Sequence, residues 1–348
     1  MFRRPARLLV PLFLASAMAL VGCSAPATPV ASSSSASDAK VTVYSGRNET
    51  LVRPILDKFT TATGIAVEVR YGETAQMAAQ LIEEGDRTQA AVFLAQDAGG
   101  LGAVGAAKLF RALPQATLDK VDAQYRDPNG LWVGVTGRSR VLAYNSTLLK
   151  AADLPASVFD LVKPEWKGKV GVAPSNASFQ SFITAMRVQH GDAKTTEFLT
   201  ALKANDPQIR EKNGVIVADV EAGKFPVGLV NHYYVYELAG ETGTTADKLK
   251  TKLHFFPGGD TGALVNVSGV GLLAKQPDTD GQALVDYLLG TEAQTYFAEK
   301  TFEYPLIAGI ASAPGLPKLD ELEVPKVSLS NLAELDKSIT LIKEAGLL

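Results

Sequence analysis

Cysteine is almost absent from this chain of 348 residues, with Cys23 as the single example. One cysteine excludes an intramolecular disulfide, so apolar side chains must hold the fold together. Histidine is scarce as well, and His190, His232 and His254 do not have the spacing of a metalloprotease motif. The sequence contains no GxSxG elbow and no GxxxxGK(S/T) loop. We therefore expect a protein that is not an enzyme.

A basic excess is also missing, because the formal net charge is −3. Nucleic-acid-binding domains usually carry a strong positive excess, so this balance argues against that class of protein. No segment after the first 21 residues is long and apolar enough to cross a membrane. Apolar residues make up 46% of the chain, which is enough for a large core, and the length suggests two domains.

The first 22 residues have the pattern of a secretory signal peptide. Three arginines precede an apolar run, Leu8 to Val21, that is short for a membrane span. The run ends in Leu20-Val21-Gly22-Cys23, which resembles the lipobox of bacterial lipoproteins, whose cysteine is lipidated after cleavage. We expect residues 1–22 to be removed, Cys23 to carry the lipid and residues 23–39 to form a flexible linker. An ordinary signal peptide with an accidental cysteine is the alternative.

The folded part begins with strands and helices in alternation. Residues 40–46 alternate apolar and polar side chains, and residues 50–63 carry one apolar face. Further strands are predicted at 65–71 and 90–95, with a helix between them. This order predicts an α/β fold with open, mainly parallel sheets, whose ligands bind beyond the carboxyl ends of the strands.

The loops 44–49 and 96–99 follow predicted strands and are expected at the ligand-binding rim. A second series of strands and helices begins near residue 132. We expect two lobes, each a mainly parallel sheet flanked by helices, hinged around a cleft. The predicted lobes are 40–137 with 264–315, and 138–263 with 316–348.

One glycine-rich segment fits a nucleotide-binding pattern. Residues Gly100 to Gly105 read GxGxxG and follow an apolar strand. However, this strand is the third of its lobe instead of the first, and Asp97 already occupies the position of a helix cap. No acidic residue closes a following strand at the required spacing. We therefore do not predict a nucleotide site.

Tyrosines are concentrated in one segment, because three of the ten lie within residues 233–236, directly after the predicted strand 227–230. Tyrosine is also common in half-buried strands, which is the alternative interpretation. A phenolate is a hard, anionic oxygen donor that suits a trivalent cation such as Fe³⁺. The metal must displace the phenol proton, since the ordinary pKa of tyrosine is near 10. If the segment is extended, His232 points away from the face of Asn231 and Tyr233.

Five motifs occur in a fixed order along the chain: Val43–Arg47, Val92–Gly99, Gly137–Asn145, Trp166–Lys169 and Asn231–Tyr234. Together they resemble the periplasmic ferric-ion-binding proteins of bacterial ABC iron importers. The similarity extends from about Val41 to Leu306. It implies a type II periplasmic-binding-protein fold and a solute-binding lipoprotein that captures ferric iron for a membrane permease.

The resemblance also implies the site residues. In that family a tyrosine pair binds iron, and the motif match places the pair at Tyr233 and Tyr234. In members with a third tyrosine ligand, its position after the arginine-rich strand matches Tyr144. A synergistic anion such as carbonate often completes the metal site, and a guanidinium fork suits a planar oxyanion. The expected anion-binding residues are Arg47, Arg138, Arg140, Ser139 and Asn231.

Two positions depart from the family pattern. The chain has Asn48 where some members have a histidine ligand, and Gln96 where they have a glutamate. Both changes remove metal ligands from the first lobe, which implies a three-tyrosine site on the second lobe. Glu49 and Asp97 lie beside these positions and are the alternative first-lobe ligands.

The expected protein is a monomer at the outer face of the bacterial cytoplasmic membrane or in the periplasm. Its cargo is Fe³⁺, a ferric chelate or Fe²⁺, captured in a cleft that closes. One alternative keeps the fold and changes the solute to an oxyanion, thiamine or a polyamine. Another is an exported hydrolase with a serine in the cleft.

Overall fold

The computed structural model describes residues 39–276 and 279–348. The predicted signal peptide, the lipidation site Cys23 and all but the last residue of the predicted linker lie outside the described residues. In the part of the chain that is described, no helix combines the length and the apolar character needed to cross a bilayer.

The strands are short except for two that run through the middle of the molecule. Within the described ranges they are β1 (Lys40–Ser45), β2 (Ala66–Tyr71), β3 (Val92–Ala95), β4 (Phe110–Arg111), β5 (Trp132–Asn145), β6 (Val170–Val172), β7 (Gln208–Ile209), β8 (Val227–Asn231), β9 (Thr251–His254), β10 (Val265–Leu273) and β11 (Tyr304–Pro305).

Helices fill the connections between these strands. They are α1 (Glu49–Thr63), α2 (Thr74–Glu84), α3 (Ala98–Ala106), α4 (Gln115–Leu118), α5 (Ala177–Ala204), α6 (Asn213–Glu221), α7 (Tyr233–Glu241), α8 (Thr279–Leu288), α9 (Thr291–Tyr296) and α10 (Leu335–Glu344). The longest of them, α5, breaks at Gly191, whose φ of +84° belongs to the left-handed region that glycine tolerates.

The strands follow one continuous order, β2-β1-β3-β10-β5-β8-β6-β7. The predicted parallel pairing holds for β1 with β2 and β3, and for β6 with β7 and β8. In contrast, β5 and β10 run antiparallel to their neighbours. The 14-residue β5 pairs with β10 through its first half and with β8 through its second half. One strand therefore belongs to both sheets.

Each sheet has its own hydrophobic core. We call the part built on β1 to β4 and β10 the first lobe, and the part built on β6 to β9 the second lobe. One core fills the first lobe, and two smaller cores lie against the second sheet. The C-terminal segment 316–348, which was expected in the second lobe, contacts both lobes. Leu329 and Leu332 pack in the core of the first lobe, while Ile342 and Leu347 pack in one of the two cores of the second lobe.

The glycine-rich segment forms the helix α3 instead of a phosphate-binding loop. Asp97 caps this helix as predicted, because its Oδ1 accepts from Gly100 N at 3.1 Å. A Cβ on Gly100 would lie 2.3 Å from Thr74 Cγ2, and one on Gly102 would lie 3.0 Å from Ala333 Cβ. These glycines therefore allow close packing of α3 against its neighbours.

Candidate metal-binding cleft

A cleft of about 780 Å³ is lined by residues of both lobes. Arg47, Tyr71 and Gln96 reach it from the first lobe, where they end or follow β1, β2 and β3. These strands are parallel, so their carboxyl ends meet at one edge of the sheet, as the strand order predicted. The lining also includes Asn48, Glu49, Asn176, Lys212, Tyr233 and Tyr234.

The tyrosine pair lies at the first two positions of α7, directly after β8. The segment is therefore helical, and the extended conformation considered from the sequence is wrong. Tyr233 is buried and Tyr234 half-buried, with ring centroids 4.3 Å apart and planes inclined by 30°. Burial raises the pKa of Tyr233 well above its ordinary value, and Tyr234 adds to the rise. Without a metal, the Tyr233 phenol keeps its proton near neutral pH.

His232 fixes the start of this helix and does not face the cleft. Its Nδ1 accepts from Ser139 N at 3.1 Å, and its Nε2 donates to the Phe302 carbonyl at 2.8 Å. Burial lowers the pKa of His232 to about 4, so the ring is neutral and carries its proton on Nε2. Ser139, predicted to bind an anion, is fully buried, and its Oγ donates to the Arg140 carbonyl. The anion role of Ser139 is thus not supported.

Two of the predicted anion-binding arginines face a carboxylate instead. Arg47 forms a bidentate pair with Glu303, with both distances at 2.7 Å, and Arg138 Nε lies 3.6 Å from the same carboxylate. All three side chains are buried. Although burial opposes ionisation, Arg47 and Arg138 hold the pKa of Glu303 below its ordinary value. The sequence analysis missed Glu303, because it lies far from the other motifs along the chain.

Arg140 has no carboxylate partner among the described residues. Its guanidinium donates to the Leu229 carbonyl at 2.8 Å and to Ser178 Oγ at 3.2 Å, beside the rings of Phe179 and Phe182. Burial lowers the pKa of Arg140 to about 9, against the opposing effect of the tyrosine pair. The group remains protonated near neutral pH, so a buried positive charge lies near the two phenols.

Arg138, Arg140 and Asn231 do come together, but around a space of about 10 Å³. That volume is about one water molecule, too small for carbonate. Asp97 lines this space as well, and burial raises its pKa. The predicted anion pocket between these side chains therefore has no room for the anion in this structure.

Tyr144 is separated from the tyrosine pair, contrary to the prediction. It lines a different cavity of about 730 Å³, together with Tyr236 and Phe302. The register explains this position: Tyr144 pairs with Val227 at the beginning of β8, whereas Tyr233 follows its end. Four residues of strand correspond to roughly 13 Å.

The first-lobe candidates differ in their present roles. Asn48 caps α1, since its Oδ1 accepts from Thr50 N at 3.0 Å. Glu49, the first residue of that helix, is exposed at the cleft, and Gln96 is half-buried there. Among the described residues, no group of three or more His, Cys, Asp and Glu side chains is arranged to hold a metal ion. A metal site here depends on phenol oxygens.

Comparison with known proteins identifies the family. A family model for bacterial extracellular solute-binding proteins matches residues 90–327. The chain belongs to this family. This membership confirms the prediction of a solute-binding protein that is not an enzyme. A Fe(3+)-binding periplasmic protein of Serratia marcescens is 37% identical to this solute-binding protein over 313 residues, covering 89% of this chain and 91% of the relative.

Solved structures confirm the periplasmic-binding-protein fold. Iron-bound HitA from Pseudomonas aeruginosa matches this solute-binding protein with a TM-score of 0.82 and 33% identity, over 88% of this chain and 99% of the other. A Trichodesmium protein in complex with iron and citrate ligands matches with a TM-score of 0.77 and 28% identity, over 88% and 99% of the two chains.

The sequence analysis of this solute-binding protein also missed the carboxylates and the third phenol of its cleft. Glu73, Glu237 and Glu241 line the cleft with Glu49. Burial raises the pKa of Glu237 to about 7, with Glu303 and Glu241 adding to the rise. Tyr71 ends a strand that the alternation predicted correctly, so the strand-end rule that selected the loops after β1 and β3 would have selected it too.

Proposed function

We propose that this solute-binding protein captures ferric iron in its cleft and delivers it to a membrane permease. The adjacent phenols of Tyr233 and Tyr234 at the cleft surface carry this proposal. Phenolate oxygens are hard anionic donors that suit Fe³⁺, and the metal must displace their protons. The name of the Serratia relative and the iron in the Pseudomonas structure support the same cargo.

A synergistic anion fits the cleft better than the buried arginine pocket. Asn176 and Lys212 line the cleft, and Asn176 caps the N-terminus of α5 by accepting from Ser178 N at 3.0 Å. A helix N-terminus and a lysine both favour an anion. Carbonate or citrate bound here would neutralise part of the metal charge, and the citrate of the Trichodesmium structure supports this assignment.

Delivery requires the protein to stay near its transporter. A lipid on Cys23 and a linker up to residue 39 would keep the folded part within reach of a permease at the outer face of the cytoplasmic membrane. Closure of the two lobes around the solute would let the permease distinguish the loaded protein from the empty one. We propose a monomer, with lobes divided near residues 138 and 264.

A second candidate cargo is an organic cation such as a polyamine. The carboxylates of Glu49, Glu73, Glu237 and Glu241 favour it, because they line the cleft while the cleft arginine Arg47 is paired with Glu303. Thermal-shift measurements with ferric nitrilotriacetate, spermidine and phosphate separate the candidates, since the ligand that binds the native state raises the melting temperature.

The direct test is the visible phenolate-to-iron absorption band. The purified protein, titrated with ferric nitrilotriacetate, should develop this band, and Tyr233→Phe and Tyr234→Phe should each weaken it. Tyr144→Phe is the matched control, because that phenol lines the other cavity. The proposal is wrong if the wild type shows no band or if Tyr233→Phe binds iron as the wild type does.

A further inference from the structure

Tyr71 places a phenol of the first lobe at the same cleft as the tyrosine pair. It is the last residue of β2, paired in register with Ser45 of β1, just before the chain turns at Gly72. Its position is therefore set by the sheet and not by a loop. Sheet positions hold ligand oxygens more rigidly than loop positions do.

The hydroxyl of Tyr71 lies near the guanidinium of Arg53 but is not tightly held by it. Its Oη is buried and makes no hydrogen bond of normal geometry with any described residue. Buried hydroxyl groups normally make a well-formed hydrogen bond, so a hydroxyl with only this loose contact can exchange it for a metal ion. The residue as a whole is half-buried and lines the cleft.

The charges around Tyr71 have opposing effects. Burial raises its pKa, and the carboxylate of Glu49 adds to the rise, whereas the guanidinium of Arg53 lowers it. The phenol is therefore neutral without a ligand. The first lobe's other candidates are weaker: Asn48 is used as a helix cap, Gln96 is a neutral amide and Glu49 is exposed to water.

We propose that Tyr71 is the third phenolate ligand of the iron site, supplied by the first lobe when the cleft closes. On binding, each phenol O–H bond breaks, a bond forms between the phenolate oxygen and Fe³⁺, and the proton passes to solvent with no change of oxidation state. Three phenolates cancel the charge of the ion. A ligand from each lobe couples metal capture directly to closure. This inference rests on the proposed iron function.

The experiment compares Tyr71→Phe with wild type and with Tyr144→Phe as the matched control. Three quantities are measured for the purified protein: the phenolate-to-iron band per bound iron, the ferric affinity by competition with nitrilotriacetate, and the protons released on titration with iron. We expect Tyr71→Phe to show about a third less of the absorption band per bound iron and to release one phenol proton fewer than the three of wild type. Its ferric affinity should fall by at least roughly tenfold, because removing even a group that supports a metal ligand weakens a metal site by that factor. Tyr144→Phe should match wild type in all three.

Other outcomes have distinct meanings. If Tyr71→Phe keeps the full band and proton release, Tyr71 is not a ligand, while the iron function stands. If wild type shows no band, the proposed function itself fails. Tyr71→Phe removes a hydroxyl that makes no hydrogen bond of normal geometry with any described residue, so it should fold. Should it fail to fold, the protons released on iron binding are counted at pH 8, where Glu237 is already ionised, for wild type and for Tyr233→Phe. Three protons for wild type and two for the variant support a third phenolate, whereas two and one overturn it.

Discussion

Arg47 and Glu303 form a bidentate ion pair across 256 positions of the chain, with both nitrogen-to-oxygen distances at 2.7 Å. The side chains are 2% and 1% exposed. Thr301 Oγ1 also donates to the carboxylate, at 2.9 Å. The pair joins the loop after β1 to the segment that leads into β11, so the cleft wall near Arg47 depends on a distant part of the sequence.

Glu303→Gln should lower the free energy of unfolding by about 3–5 kcal/mol, because Arg47 would keep a buried charge without its partner. Urea denaturation at pH 7 measures the change. Glu292→Gln is the matched control, since its pair with Lys58 is about half exposed on both sides and is expected to contribute only about 0–1 kcal/mol. An effect of Glu303→Gln no larger than that of the control would contradict the prediction.

The free energy of unfolding should fall on acidification between pH 6.5 and about 4. The folded pKa of His232 is about 4 and its ordinary value is 6.5, so the unfolded chain takes up the proton first as the pH falls. The shift corresponds to roughly 3 kcal/mol lost across this window. In His232→Gln this part of the pH dependence should disappear, whatever the substitution costs at pH 7. If the free energy of unfolding depended on pH equally in His232→Gln and in wild type between pH 6.5 and about 4, the prediction would be wrong.

Glu237→Gln should stabilise the metal-free protein at pH 8 and leave it nearly unchanged at pH 5. The folded pKa of Glu237 is about 7, above its ordinary 4.5, so the folded state holds a proton that the unfolded chain releases. The free energy of unfolding therefore decreases as the pH rises from about 4.5 through about 7. A glutamine at this position does not ionise, so the variant does not lose this stability. With partial exposure we expect a gain of about 1–2 kcal/mol. Thermal unfolding at the two pH values measures it, and an equal shift at both would refute this explanation.

Arg140→Met should weaken ferric binding with little loss of stability. The free energy of unfolding should change by less than about 1 kcal/mol, because the variant removes a buried charge that pairs with no carboxylate of the described residues. Iron affinity should fall about tenfold, equivalent to about 1.4 kcal/mol, because phenolates together with a bound anion leave the loaded site net negative and Arg140 supplies a nearby positive charge. Arg126→Met is the control for both measurements, at an ion pair with Asp119 whose side chains are 21% and 60% exposed. If Arg140→Met bound iron with the affinity of wild type, the Arg140 charge would have no role in iron binding.

The sequence was sufficient to find the edge of the sheet where the cleft lies. Alternation and glycine turns located β1, β2 and β3, and the strand-end rule then brought Arg47 and Gln96 to the cleft. The same rule placed Tyr233 after β8, although it did not reveal that a helix begins there. These predictions succeeded because each depends on contacts near in sequence.

The failures depend on pairing between distant segments. The sequence near Arg47 gives no sign that its guanidinium pairs with Glu303. Arg47 was therefore predicted to bind an anion, whereas it forms a buried ion pair. Tyr144 lies on the correct strand, but only the register against β8 shows that it occupies the far end. Tyr71 ends a strand that the alternation predicts, but no motif follows that strand to mark the phenol as a ligand.

The sharing of β5 between two sheets limits how the chain length can vary. A deletion within Trp132–Asn145 would move the register against β10 and against β8 together, and a shift of one residue turns every side chain to the opposite face. The irregular pairing around Ser268 and Gly269 is the point where the ladder takes up an extra residue. Insertions between homologous chains should therefore collect in the loops outside this strand, which makes β5 the natural anchor for aligning distant members of the family.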